Sequence, residues 1–169
     1  MSDIYELATW QWLPRPRPEV FAFFAEAHNL ERITPPFLQF HVLTANPIEM
    51  RAGAVIDYRL RMRGVPLRWR SEIAMWDPPR RFADVQRRGP YRQWDHTHTF
   101  EEADGGTMVK DRVLYRLFGP AFLTRIINGV LVAPDTRRIF EFRQRALDEC
   151  LNLAVESRSG PVALVRRRL

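Results

Sequence analysis

Apolar and polar residues alternate in two runs on either side of the turn Asp104–Gly106, a pattern typical of a β-hairpin. Successive side chains of a strand point to opposite faces, so each run has one mainly apolar face. Pairing Glu102 with Thr107 places His98 opposite Asp111 and brings the two apolar faces together. A shift of one residue would turn the apolar set toward solvent, so the pattern predicts that register or one two residues away.

The face that is predicted to be inward also bears His96, His98 and Asp111 among its aromatic residues. Buried polar groups cost free energy unless they are paired or hydrated. Three interpretations therefore stay open. The first is a paired His98–Asp111 contact inside a core, the second is a polar patch on the wall of an internal cavity, and the third is a catalytic or metal-binding role.

The same alternation predicts five more strands, at residues 4–13, 38–43, 54–63, 67–75 and 81–88. Residues 19–27 and 29–33 have helical spacing and are bounded by prolines, so two short helices are expected after the first strand. The inward face of residues 81–88 stays open, because Phe82 and Val85 favour opposite faces unless the strand contains a bulge.

The strands at 54–63 and 67–75 form a second predicted hairpin, in which Leu60 pairs with Trp69. Four arginines then share its outer face: Arg59, Arg61, Arg68 and Arg70. Asp57 and Glu72 offset part of this charge. The cluster is interpreted as a solvated face, with a docking surface for an acidic partner or a membrane as the alternative.

Apolar residues recur at helical spacing from residue 121 to residue 151, which predicts a long C-terminal helix. Pro134 interrupts it, so a break or kink is expected near Val132–Pro134, with the proline opening the second segment. Residues 154–169 contain serine, glycine, proline and a run of arginines, and they are expected to form a flexible basic tail.

Composition narrows the class of protein further. The chain has 169 residues, a net charge of +6 and a hydrophobic fraction of 46%, which fits one globular domain. Its one cysteine, Cys150, excludes an internal disulfide and favours a reducing compartment. The chain has no run of 18 apolar residues, and its first residues lack the features of a signal peptide, so a cytoplasmic location is expected.

This element order, with the pattern GPY…W.HTH.FE…GGT…D.V.Y at residues 89–115, resembles the START-like superfamily. The resemblance covers residues 4–151 and is closest to the polyketide cyclase/dehydrase and lipid-transport group, also called SRPBCC proteins. It implies an α+β helix-grip (Bet v 1-like) fold over residues 1–153. In that fold a curved seven-stranded antiparallel sheet wraps around a long C-terminal helix, and two short helices after strand 1 close one end of a hydrophobic cavity.

The family includes lipid and quinone carriers, hormone receptors and polyketide cyclases, so the resemblance implies binding of a hydrophobic small molecule, as carrier or sensor. The ligand-binding residues are predicted to be Tyr58, Leu60, Trp69, Ser71, Trp94, His96, His98, Phe100, Asp111 and Tyr115. Whether the protein is an enzyme stays open. The alternative is a polyketide-type cyclase or dehydrase in which His98 and Asp111 act as acid and base. An interaction module that uses the arginine face is the further alternative.

Other chemistries have less support in the sequence. It contains no GxGxxG, P-loop, CxxC or HExxH motif, and no cofactor is expected. The pair His96 and His98 would need Asp111 as a third metal ligand, and no metal is expected. Nucleic-acid binding is not expected, because Trp69 points inward and leaves the arginines without exposed aromatic partners. The arginines are compatible with transient contact at a membrane surface, and the oligomeric state stays open.

Overall fold

One antiparallel sheet forms most of the protein in the computed structural model, which describes residues 3–153 and 157–167. The strands of the described residues are β1 Ile4–Leu13, β2 His41–Val42, β3 Val55–Met62, β4 Val65–Asp77, β5 Arg81–Arg88, β6 Gln93–Ala103, β7 Gly106–Arg116, β8 Arg158–Ser159 and β9 Ala163–Arg167. Their order is β2-β3-β4-β5-β6-β7-β1-β8, and β9 also pairs with β1. The predicted α+β helix-grip fold is confirmed, with two additional short strands from the C-terminal segment.

The helices cover one face of this sheet and one of its ends. They are α1 Arg17–Ala25, α2 Asn29–Arg32, α3 Ala121–Ile127 and α4 Ala133–Cys150. A π-helical turn, Asn128–Val132, joins α3 to α4. The expected irregularity is therefore present just before Pro134, which lies in the first turn of α4 directly after the π-helical turn. A 3₁₀ turn at Pro36–Leu38 shortens the strand expected at 38–43 to β2.

The β6–β7 hairpin has the predicted register. Glu102 pairs with Thr107, and His98 lies opposite Asp111. Asp104 has φ 51 and the following glycine has φ 74, so the two residues of the turn both adopt the left-handed conformation. Such a turn matches the twist of the flanking strands, which fixes the pairing from the first residue on each side.

The predicted register of the β3–β4 hairpin is wrong by two residues. Leu60 pairs with Leu67 instead of Trp69. The turn consists of only two residues, Arg63 and Gly64, with φ values of 50 and 82. An even shift leaves every side chain on its predicted face, so the inward set is unchanged although its cross-strand partners differ.

The arginine face of this hairpin is partly neutralised by ion pairs. Arg70 donates to both carboxylate oxygens of Asp57 at 2.8 and 2.9 Å, and these hydrogen bonds lower the pKa of Asp57. Arg87 on β5 contacts Glu72 at 2.8 Å. All four arginines of the cluster are exposed: Arg59, Arg61, Arg68 and Arg70. A docking role for this face stays a prediction.

Helix α4 packs against the concave side of the sheet. Its buried residues are Thr136, Phe140, Arg143, Ala146 and Leu147. Two glutamines connect it to β1: Gln144 Nε2 donates to Thr9 Oγ1 at 2.7 Å, and Gln11 Nε2 donates to the carbonyl of Gln144 at 2.9 Å. Gln144 also reaches the carbonyl of Gly160 at 3.0 Å, so the helix, β1 and the C-terminal segment are held together.

Helix α3 and the π-helical turn after it leave much of their apolar surface exposed. Phe122 and Ile126 of α3 have exposed fractions of 68% and 60%, and Val130 of the turn has 65%, whereas Ile127 packs against the core. The apolar positions at helical spacing in residues 121–131 therefore do not form one buried stripe.

The C-terminal segment differs from the flexible tail that the sequence analysis expected at residues 154–169. Strands β8 and β9 pair with β1, and Val162 is 6% exposed within the core. That expectation is wrong for residues 157–167, because the free edge of β1 offers unpaired backbone N–H and C=O groups that the segment satisfies. Residues 154–156 and 168–169 lie outside the described part of the chain.

Within the described residues, none of the helices has the length and apolar character needed to cross a membrane.

The docking of the C-terminal segment can be tested with two valines of that segment. Val162→Ala should lower the free energy of unfolding by roughly 1–2 kcal/mol, because it removes buried methyl groups. Val165 is 57% exposed, so Val165→Ala should change it by less than about 0.5 kcal/mol. Urea unfolding followed by tryptophan fluorescence measures both, and equal, negligible effects would mean that the segment does not pack on β1.

Candidate functional site

A cavity of about 180 Å³ lies between the sheet and α4. Most of its wall is apolar and comes from α1, α2, β3, β4 and α4. Seven of the ten residues predicted to bind ligand lie on this wall: Tyr58, Leu60, Trp69, Ser71, Trp94, His96 and His98. The sequence analysis therefore identified seven residues of the cavity wall. Contact of these residues with a ligand stays a prediction.

The other three predicted residues do not line the cavity. Phe100 is enclosed by the rings of Phe21 and Phe24, each 5.2 Å away, under α1. Tyr115 stacks on Tyr5 at 5.3 Å and is fully buried beneath the start of the C-terminal helix. Asp111 lies behind the two histidines. These residues share the inward face of the hairpin, but the helices cover that face at both ends.

Asp111 contacts both histidines with one oxygen. Its Oδ1 is 2.9 Å from His96 Nε2, in a hydrogen bond, and 2.8 Å from His98 Nδ1. The second contact has an ion-pair distance without hydrogen-bond direction. The two imidazole rings lie 3.8 Å apart between centroids. The His–Asp pair expected from the sequence is therefore present, and the histidines also face the cavity, so the two interpretations hold together.

Asp84 on β5 is a site residue that the sequence analysis missed. Its Oδ2 lies 3.5 Å from His98 Nε2 and 3.9 Å from His96 Nδ1, while Ser71 Oγ donates to its Oδ1 at 3.2 Å. The pairing of β4 with β5 contains register shifts, which explains why the pattern of residues 81–88 did not reveal the inward face of β5. If Phe82 had been assigned to the inward face, Asp84 would have been assigned to it as well, because residues two apart in a strand share a face.

Arg143 on α4 is the second missed residue. It is 7% exposed, with Nη1 4.0 Å from Asp111 Oδ1 and its guanidinium carbon 4.7 Å from the ring centre of Phe140. Its Nε is buried and has no hydrogen-bond partner among the residues that the structure describes. Arg143 follows Phe140 by three residues and precedes Leu147 by four, a spacing that places a residue on the buried face of a helix.

The pKa values of these groups follow from burial and from their mutual charges. Burial lowers the pKa of His98, but the carboxylates of Asp111 and Asp84 outweigh it and the net pKa is raised. Burial and the neighbouring His98 lower the pKa of His96. Burial raises the pKa of both carboxyl groups, but the two imidazoles hold that of Asp111 well below its usual value and that of Asp84 below it. Burial also lowers the pKa of Arg143.

The cluster therefore combines two carboxylates with a guanidinium and two imidazoles, and the pKa of His98 is shifted upward while that of His96 is shifted downward. It lies on one part of an otherwise apolar wall. In a site of low dielectric constant, such groups interact strongly with any polar atom that enters. The arrangement can orient one polar end of an apolar molecule, or exchange a proton with it.

A protein-family model described as polyketide cyclase/dehydrase and lipid transport matches residues 13–142. No sequence among the curated proteins matches the chain.

Solved structures from several organisms are similar to this chain. Protein Ms6760 from Mycobacterium smegmatis is 18% identical with a TM-score of 0.64, over 87% of this chain and 90% of that one. Ginseng major latex-like protein 151 from Panax ginseng is 12% identical with a TM-score of 0.65, over 88% and 98% of the two chains. At these identities the likeness concerns the fold.

One part of a larger protein is similar too. The nucleoside-diphosphate sugar epimerase from Corynebacterium glutamicum is 26% identical with a TM-score of 0.63. The match covers 86% of this chain but only 29% of the epimerase, so it concerns one portion of that protein.

The burial of Asp111 against Arg143 predicts a large effect of Asp111→Asn. The neutral amide leaves the buried guanidinium of Arg143 without the negative charge of its partner, so the free energy of unfolding should fall by about 3–5 kcal/mol. Asp57→Asn is the matched control, since its partner Arg70 is half exposed, and it should cost less than about 1 kcal/mol. Urea unfolding measures both.

A second variant separates charge imbalance from loss of packing. Adding Arg143→Met to Asp111→Asn should recover part of the loss, because both buried charges are then removed. If the double variant is less stable than the single one by the full cost of Arg143→Met alone, the two residues do not interact.

Proposed function

The chain belongs to the polyketide cyclase/dehydrase and lipid-transport family, and we propose that it binds a compact hydrophobic small molecule between the sheet and α4, as carrier or sensor. The observation that carries this proposal is the apolar cavity with a polar cluster on one part of its wall. Ligand sites of this kind combine a large apolar surface with a few polar groups that fix the orientation of the ligand.

The size of the cavity limits the ligand. At about 180 Å³ it is comparable to engineered cavities of about 150 Å³ that accept benzene. A compound with one or two rings therefore fits with small adjustments of the wall, whereas a long acyl chain would need the helices to move apart. Among lipids, quinones and polyketide-like compounds, the cavity favours a small quinone or an aromatic polyketide.

The polar cluster supplies the orientation of that ligand. Asp84, His96, His98 and Arg143 all line the cavity, together with mainly aromatic and aliphatic side chains. A hydroxyl or keto oxygen would meet donors and acceptors there, while its ring contacts the apolar wall. A hydrocarbon ligand would leave buried polar groups of the cluster without hydrogen-bond partners, at a cost of about 1–3 kcal/mol for each group. Ligands with a hydroxyl or keto oxygen should therefore bind more tightly than hydrocarbons.

The ligand site can be tested with 2-naphthol, whose fluorescence reports binding, and with naphthalene as its analogue without the hydroxyl. Leu60→Trp adds volume on the cavity wall and should weaken 2-naphthol binding by at least about tenfold. The wild-type protein should bind 2-naphthol more tightly than naphthalene, because only the former can reach the polar cluster.

The control for this experiment is Val65→Trp, since Val65 is 58% exposed on β4 and does not line the cavity. Its affinity for 2-naphthol should equal that of the wild type. Equal affinity of the Leu60→Trp variant would mean that the compound binds elsewhere. Native mass spectrometry of protein purified from its own source would then identify the physiological ligand.

A second candidate function is a cyclase or dehydrase, and one observation favours it. His98 lines the cavity while Asp111 lies 2.8 Å from its other ring nitrogen, which is the arrangement of an oriented acid–base pair. Such an enzyme would remove water from a β-hydroxy ketone held on the wall.

The enzyme hypothesis predicts that the wild-type protein dehydrates an aromatic β-hydroxy ketone. His98→Phe should lower kcat by about 10²–10⁴-fold, because proton transfer is lost while the apolar wall is kept. Product formation measured by liquid chromatography decides this, and a β-hydroxy ketone that binds but is never converted leaves only the carrier or sensor function.

A further inference from the structure

Three potential metal ligands converge on the cavity wall: Asp84 Oδ2, His96 Nδ1 and His98 Nε2. The carboxylate oxygen lies 3.9 Å from His96 Nδ1 and 3.5 Å from His98 Nε2, and all three atoms lie within 4.8 Å of one another. The sequence offered only Asp111 as a partner for the two histidines. The structure brings in a different carboxylate from β5, on the side of the rings that faces the cavity.

The spacing of these atoms is longer than that of hydrogen bonds but fits a shared cation. N–H···O hydrogen bonds have lengths of about 2.7–3.2 Å. Ligands that lie about 2.0–2.2 Å from a tetrahedral metal ion are roughly 3.4 Å from each other. The separations of 3.5 and 3.9 Å therefore need only small side-chain adjustments around an ion.

Other residues already hold these ligands in place. The ring nitrogens that face away from Asp84 both lie against Asp111 Oδ1, at 2.9 Å for His96 and 2.8 Å for His98. Histidines that bind metals usually donate their second nitrogen to a carboxylate. His96 makes such a hydrogen bond with Asp111, whereas the contact of His98 has an ion-pair distance without hydrogen-bond direction. Ser71 Oγ in turn donates to Asp84 Oδ1 at 3.2 Å, which leaves Oδ2 directed toward the imidazoles.

The charges of the site suit a divalent ion. With neutral imidazoles, the two buried carboxylates and the guanidinium of Arg143 sum to one negative charge. A divalent cation would turn this into one positive charge on the cavity wall. An anionic or strongly polar oxygen of a ligand, or water, could then occupy the coordination position that faces the cavity.

We propose that Asp84, His96 and His98 bind one divalent transition-metal ion of the zinc or iron(II) class, with an open coordination position toward the cavity. Two imidazoles and one carboxylate on one side of the ion are a ligand set that both metals accept. Asp111 and Ser71 act as positioning residues. This proposal can be tested apart from the proposed hydrophobic ligand. Metal binding and 2-naphthol binding are measured separately, so one can be absent while the other is present.

The metal site can be tested by titrating Co²⁺ into tag-free protein that has been treated with a chelator. The wild type should bind one equivalent with visible d–d absorption from nitrogen and oxygen ligands. Asp84→Asn should weaken binding by more than about 100-fold, because it removes a direct ligand. His41 lies in an exposed pair with Glu31 at 3.9 Å, so His41→Ala is the matched control and should leave the affinity unchanged.

A measurement on the unmodified chain avoids any dependence on the folding of variants. X-ray absorption of the wild-type protein loaded with one equivalent of Zn²⁺ should show two imidazole ligands per zinc. Fewer than two imidazoles, no specific Co²⁺ binding, or a loss of binding in His41→Ala equal to that in Asp84→Asn would each overturn the proposal.

Discussion

The carboxylate of Asp111 is buried against two imidazoles and a guanidinium, and the positions of four elements depend on this contact. β7 supplies Asp111, β6 supplies His96 and His98, and α4 supplies Arg143. β5 adds Asp84 on the far side of the rings. An isolated charge in this interior would cost several kcal/mol, so each element is favoured only when its partners are in place. The charge cluster therefore connects α4 to the sheet through Arg143, in addition to the hydrogen bonds between Gln144 and β1.

The same cluster gives the cavity its chemical character. Aromatic and aliphatic side chains form most of the wall, and the ionisable groups occupy one part of it. Groups that are already paired and oriented need little rearrangement when a polar atom arrives, which is the condition for selective binding. The fold supplies an apolar cavity, and the identity of a few side chains decides what that cavity can hold. The proposed carrier, enzyme and metal-site functions all depend on those same side chains.

Where the sequence succeeded, local chemistry determined the result. The Asp104–Gly106 turn fixed the β6–β7 register, and the alternation placed His98 opposite Asp111 as predicted. The sequence analysis failed where the local pattern allowed more than one turn, or where the pairing partner lay far away in the chain. The β3–β4 register depended on which two residues formed the turn, Gly64 and Val65 as predicted or Arg63 and Gly64 as observed. The docking of the C-terminal segment depended on the free edge of β1.

The sequence by itself determined the element order as far as the C-terminal helix, the inward faces of the hairpins and the family, because period-two alternation and turn residues are local properties of the chain. Only the tertiary structure decided that Asp84 and Arg143 join the histidines, and that Phe100 and Tyr115 do not line the cavity. Those outcomes depend on the bulged pairing of β4 with β5 and on how the helices cover the curved sheet. Such contacts arise between residues far apart in the chain, and no local pattern specifies them.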